Sequence, residues 1–133
     1  MTANIIYTGN LRCAATHLQS GTVIETDAPT DNKGKGERYS PTDLVCVALA
    51  TCIVTTIGIK VADLGISIDD TVVQVTKHMA TEPRRIGRIQ VRLLFNGAVV
   101  DNKTRTILER VAHTCPVHRS LHPDVVMDIE LVW

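Results

Sequence analysis

Aromatic side chains are scarce in this chain of 133 residues: one Phe, one Trp and two Tyr. Proteins that hold single-stranded nucleic acid stack its bases on aromatic faces, so that class of function is disfavoured. Net charge is lacking as well. Fourteen Lys and Arg balance fourteen Asp and Glu, and no global field gathers nucleic acid or an acidic membrane surface. The start, Met1-Thr2-Ala3-Asn4-Ile5-Ile6-Tyr7, has neither a basic stretch nor an apolar one, so no secretion signal is expected. The four cysteines, Cys13, Cys46, Cys52 and Cys115, include no CxxC pair. With thiols expected to rest reduced in a cytoplasmic protein, they are read as catalytic, metal-binding or buried rather than as a disulfide framework. Lys33-Gly34-Lys35-Gly36 lacks the pattern of a phosphate-binding loop. Internal repeats and low-complexity segments are missing too. The longest apolar run is interrupted by Thr51, Thr55, Thr56, Gly58 and Lys60, and reads as short of a membrane span. Length predicts a single domain over residues 1–133.

What is present is aliphatic. Residues 3–27 alternate weakly and predict two or three antiparallel strands, Gly21-Thr22-Val23-Ile24-Glu25-Thr26 most clearly. Residues 29–36 are a loop by composition. Ser40-Pro41-Thr42-Asp43 opens a helix: Ser40 can cap, Pro41 suits the first turn, and Asp43 opposes the helix dipole. That helix is expected to reach about Leu64, with Gly65 as its stop. From Leu44 to Ile59 its apolar residues lie on nearly every face, the mark of an enclosed helix. Enclosing it is difficult for one small domain, which predicts an intertwined homodimer. Residues 66–79 and 86–95 predict a hairpin with a charged tip at Glu82-Pro83-Arg84-Arg85. Residues 101–113 predict a helix, Thr114-Cys115-Pro116 the start of another short one, and residues 125–132 a strand with Val125, Met127, Ile129 and Leu131 on one face.

Cys52 and Cys115 occupy different settings. Cys52 lies among Ile and Val, where desolvation raises a thiol pKa unless a cation compensates. Cys115 lies between Thr114, a cap candidate, and Pro116, so a helix N-terminus is expected to lower its pKa. Two such thiols form a redox couple if the fold brings them together. Taken alone, Cys52 on an apolar helix is more often simple core. Cys46 and Cys13 are read as structural. His113, Cys115, His118 and His122 form a ligand-capable cluster, H-x-C-x2-H-x3-H. It lacks the second ligand pair that zinc sites commonly draw on, and a solvated basic face is the commoner outcome.

Ser40-Pro41-Thr42-Asp43-Leu44, then Ala48-Leu49-Ala50-Thr51-Cys52 on a buried helix, then Cys115-Pro116-Val117 about sixty residues later, resemble the OsmC/Ohr family. The resemblance covers Leu11 to Trp133. It implies an α+β fold: antiparallel sheets wrapped around a long buried central helix, in an intertwined dimer. It implies a thiol-dependent peroxidase for organic hydroperoxides, with Cys52 as peroxidatic and Cys115 as resolving cysteine. Arg12, in the N-terminal strand region, matches the arginine that lowers the thiol pKa, with Arg38 as the fallback. The family's peroxidases hold that arginine with a glutamate directly after the helix-start proline. This chain has Thr42 there, followed by Asp43, with Glu37 a further carboxylate nearby. No metal or organic cofactor is implied. The reductant implied is a dithiol, a lipoylated protein or a thioredoxin-like donor. Val45, Leu49, Ile53 and Ile57 are expected to line the site and favour alkyl hydroperoxides. The departure at Thr42 supports a rival: a non-catalytic OsmC-like protein that binds a small apolar ligand or senses redox state.

Overall fold

The computed structural model describes residues 1–133. The chain divides into two compact units, Met1–Val45 and Cys46–Trp133.

The first unit is a three-stranded antiparallel sheet, β1 (Ala3–Gly9), β2 (Arg12–His17) and β3 (Val23–Asp27), in that order. Gly9, Asn10 and Leu11 turn β1 into β2 with positive φ throughout. Alternation places Ile5, Ala15 and Ile24 in one cross-strand row and Tyr7, Cys13 and Thr26 in the next, on the same face. Much of that face is open; Ile5 is 65% exposed. On the opposite face Arg12, the first residue of β2, lies directly across from Asp27, the last of β3. A loop with a 3-10 turn at Thr30–Asn32 follows. Gly34 in it is obligatory, since an added Cβ would lie 1.6 Å from the Ala28 carbonyl oxygen. Ser40 and Asp43 then form a reciprocal capping box. Ser40 Oγ accepts from the Asp43 N–H at 3.1 Å, and Asp43 Oδ2 accepts from the Ser40 N–H at 2.8 Å.

Helix α1 (Pro41–Ala62) starts at that box and enters the second unit. It stops two residues short of Leu64. Gly65 takes positive φ, and the Ile66 N–H returns to the Val61 carbonyl at 3.1 Å. The second unit continues with β4 (Val72–Thr81), β5 (Arg84–Leu94), α2 (Asn102–Ala112), α3 (Pro116–Ser120) and β6 (Val126–Val132). Its sheet order is β4-β5-β6. The expected hairpin forms, but β4 starts at Val72 rather than Ile66, and a loop fills residues 66–71. The sheet is not wholly antiparallel: β6 runs parallel to β5. The two helices between them carry the chain back to the end of the sheet near which β5 begins, a crossover that alternation within a strand does not reveal.

One buried cluster joins Leu49, Ile53 and Ile57 of α1 to Ile89, Val91 and Leu93 of β5 and to Leu108 and Ala112 of α2. Each Leu, Ile or Val among these contributes roughly 1.5–3 kcal/mol on burial. α1 is therefore a core helix on one face: Cys46, Leu49, Ala50, Ile53, Ile57 and Val61 are buried. The expectation of burial all round is not met within one chain, since Ala48, Thr51, Thr55 and Ile59 are exposed. Against the expectation from its interruptions, α1 is long and apolar enough by length and composition to cross a membrane, with a mean hydropathy of 2.2 over 18 residues. A core helix passes the same test, and the face it buries is that of one.

Candidate functional site

The second unit brings Cys52 and Cys115 together. Both are free thiols, and they lie near enough for Cys52 to influence the ionisation of Cys115. Cys52 sits on α1 just before core residue Ile53, at the margin of the buried face, and is half-buried. The next turn secures its backbone: the Thr56 hydroxyl donates to the Cys52 carbonyl at 2.7 Å. Cys115 is 0% exposed. The two settings are thus the reverse of what local sequence suggests.

Cys115 is itself the N-cap of α3, and its Sγ accepts from the His118 N–H at 3.3 Å. Thr114, the expected cap, instead donates its hydroxyl to the Val111 carbonyl at 2.7 Å, closing the end of α2. The expected lowering of the Cys115 pKa is also overturned. Burial pushes this thiol up, the neighbouring Cys52 thiol adds to the rise, and the His118 N–H only partly offsets it. A helix of five residues supplies too little dipole to outweigh desolvation. Leu49, Ile53 and Ile57, expected to line a substrate site, are fully buried in the core cluster, and Val45 is half-buried.

Arg12 anchors a second cluster, in the first unit. Its Nε donates to Asp27 Oδ1 at 2.6 Å and its Nη2 to Asp27 Oδ2 at 2.9 Å, a bidentate grip. Nη2 also donates to Glu37 Oε2 at 2.7 Å. These carboxylates raise the pKa of the guanidinium, and the guanidinium in turn lowers that of Asp27 to about 2. Asp27 is 2% exposed and also accepts from the Glu37 N–H at 3.0 Å. Glu37 thus joins Arg12 as the sequence allowed. Thr42 and Asp43 do other work: Thr42 Oγ1 lies 3.1 Å from Ser40 Oγ, and Asp43 completes the capping box. Arg38 pairs with Glu25 at 2.8 Å. Sequence reasoning missed Asp27. The signal that reaches it is the β2–β3 register, because pairing Thr16 with Val23 sets Arg12 opposite Asp27.

The histidines split. His113 Nδ1 and His118 Nε2 approach to 3.4 Å, whereas His122 lies beside Asp124. Burial lowers the His118 pKa, and His113 and Arg119 add to the effect. No group of three or more metal-ligating side chains forms.

The OsmC-like protein family profile matches residues 34–130, a stretch that includes both cysteines. The chain belongs to the OsmC-like family. Among solved structures, an osmotic stress induced and detoxification response protein from Psychrobacter arcticus 273-4 is 46% identical. The match covers 98% of this chain and 95% of that one, with a TM-score of 0.94. An organic hydroperoxide resistance protein OsmC from Legionella pneumophila is 14% identical, with a TM-score of 0.78 and coverage of 100% and 98%. An organic hydroperoxide resistance protein from Elizabethkingia anophelis is 12% identical, with a TM-score of 0.72 and coverage of 99% and 96%. The last two establish likeness of fold. No curated protein matches the chain. The α+β OsmC-like architecture expected from sequence is therefore the one observed, with the parallel β5–β6 pair added.

Proposed function

We propose that this OsmC-like protein is a thiol peroxidase that reduces organic hydroperoxides. The observation that carries this reading is the interacting pair of free thiols, Cys52 half-buried and Cys115 fully buried. The more accessible thiol meets the oxidant and the enclosed one waits. The Cys52 thiolate attacks the distal peroxide oxygen, the O–O bond breaks, and the alkoxide takes a proton and leaves as alcohol. The sulfenic acid on Cys52 then condenses with Cys115, forming a disulfide and releasing water. An external dithiol, a lipoylated protein or a thioredoxin-like donor, reduces the disulfide by exchange. Thiols alone balance these steps, so the cycle requires no metal or organic cofactor. Arg12, as the family resemblance implies, stabilises the Cys52 thiolate and orients the peroxide.

The protein acts in this proposal as a cytoplasmic homodimer, without nucleic acid or membrane partners. The open apolar face at Ile5, Tyr7 and Ile24 and the exposed apolar positions of α1 support a second copy as their cover. The rival, a non-catalytic OsmC-like protein, drew on the absent glutamate after Pro41. That motive weakens, because two other carboxylates hold Arg12. Stopped-flow mixing of reduced protein with cumene hydroperoxide and with hydrogen peroxide, following thiol loss, tests the reading. Rapid stoichiometric loss with the organic peroxide is expected. Loss no faster than for a small-molecule thiol rejects it.

A further inference from the structure

We propose that the rings of His113 and His118 form an acid-released clasp on the turn that carries Cys115, an inference that rests on the resolving role of this thiol in the peroxidase reading. One residue joins the two parts. The His118 N–H donates to Cys115 Sγ at 3.3 Å, and the His118 ring atom Nε2 lies 3.4 Å from Nδ1 of His113. The rings stand at 87° with centroids 5.3 Å apart, so they meet through nitrogens and are not stacked. His113 is itself anchored: it caps α2, its N–H returning to the Arg110 carbonyl at 3.2 Å. Helix α3 has only five residues and little hold of its own. The clasp ties this short helix to the end of a longer one.

A ring pair of this kind takes up one proton but resists a second. Neutral or singly protonated, one nitrogen donates and the other accepts. Doubly protonated, both are donors of like charge, and the bond is lost. The groups that act on His118 all oppose its protonation. Burial does so most, followed by His113 from the end of α2 and Arg119 from α3. The other titratable group on this turn is the Cys115 thiol, whose ionised form burial and the neighbouring Cys52 disfavour. The hold is therefore present above the ordinary histidine value of 6.5 and is lost as pH falls below it, through the lowered value of His118. Release frees the His118 N–H, whose bond favours the Cys115 thiolate, so attack by that thiol slows.

The test follows attack by Cys115 without any peroxide. In the full chain carrying Cys13→Ser, one equivalent of dithiobis(nitrobenzoate) forms a mixed disulfide at Cys52. The Cys115 thiolate then attacks the Cys52 sulfur, forming the Cys52–Cys115 disulfide and expelling a second thionitrobenzoate. Stopped-flow absorbance reads that second release against pH. Thiol ionisation alone slows it about tenfold per unit. Between about pH 7.5 and 5.5 the parent is expected to lose about tenfold more than ionisation accounts for, the effect of about one further unit in the thiol pKa. His113→Asn sets an amide atom in place of Nδ1, keeps the bond and takes up no proton. It is expected to match the parent at the upper end and to fall along the ionisation slope only. His113→Ala, with no clasp at any pH, is expected to be about tenfold slower at the upper end with the same shallower slope. A parent slope no steeper than that of His113→Asn overturns the proposal, as does His113→Ala with the parent's rate and slope. Where circular dichroism finds His113→Ala unfolded, the slope of His113→Asn decides. Hydroperoxide consumption by wild type is measured in parallel. A wild type that consumes none while the histidine-dependent slope is present sinks the peroxidase reading and leaves the clasp in place.

Discussion

The two units bury opposite kinds of residue. Every buried apolar side chain, from Cys46 to Val125, lies in the second unit, whereas the buried residues of the first are the polar Asp27 and Ser40. The second unit is a conventional core with a thiol pair at its edge. The first spends its burial on hydrogen-bonded polar groups and leaves Ile5, Ile6, Tyr7, Val23 and Ile24 exposed. A sheet of three strands with no covered apolar face has little stability of its own. The difference is one of content: one unit holds the thiol pair, and the other a buried ion-paired cluster and an exposed apolar surface.

The largest expected effect falls in the second unit. Cys52→Ser abolishes hydroperoxide consumption. Cys115→Ser still consumes one equivalent, after which Cys52 climbs to sulfinic and sulfonic acid, visible as added oxygens by intact mass. Peptide mapping of wild type after stoichiometric peroxide is expected to find a Cys52–Cys115 disulfide within one chain. A link through Cys13 or Cys46 would break the assignment of chemistry to this pair.

Stability sharpens the comparison next. Ile53→Ala, deep in the second unit's cluster, is expected to cost roughly 2–5 kcal/mol. A pair of substitutions on the open face of the first unit, Ile5→Asp with Ile24→Asp, touches no core within the chain. If a second copy covers that face, the pair converts dimer to monomer in sedimentation at micromolar concentration and makes the melting temperature fall with dilution. A wild type that is already monomeric and stable would end the dimer proposal and leave that face unexplained.

Much of this was legible in the sequence because local rules governed it. The capping sequence at Ser40 to Asp43, the glycine stop at Gly65 and the strand alternation from Val125 to Leu131 each concern neighbours within a few residues. What was not legible depended on distance along the chain. The parallel pairing of β6 with β5 comes from a crossover through two helices. Asp27 is fifteen residues from Arg12, and only strand register joins them. The Cys115 environment was misread because a local feature, the helix start, was weighed without the burial that tertiary packing imposes. In the proposed cycle this matters, because burial disfavours the thiolate of the thiol assigned to resolution. Resolution therefore accelerates as pH rises toward the raised Cys115 pKa, by up to about tenfold per unit. Quench-flow measurement of disulfide formation from pre-formed sulfenic acid reads this directly. A flat profile between pH 7 and 9 would mean that ionisation of Cys115 does not limit the step.

The smallest expected effect returns to the first unit. Hydrogen bonds from Arg12 hold the Asp27 carboxyl down to about 2 in the fold, below the ordinary value of 3.8. Between those values the unfolded chain binds a proton that the folded chain refuses, so stability rises with pH across that window. The contribution is fully present above about pH 4 and is lost as pH falls through the folded value, where the carboxyl protonates and the bidentate pair with Arg12 breaks. Urea midpoints measured between pH 5 and 2 are expected to decline in wild type. The decline is expected to be shallower in Asp27→Asn, which has no proton to take up there. Glu37→Gln removes only the exposed partner and is expected to leave the slope close to that of wild type. Equal slopes in wild type and Asp27→Asn would show that acid sensitivity resides elsewhere, and that the polar burial of the first unit contributes less to its folding than the geometry suggests.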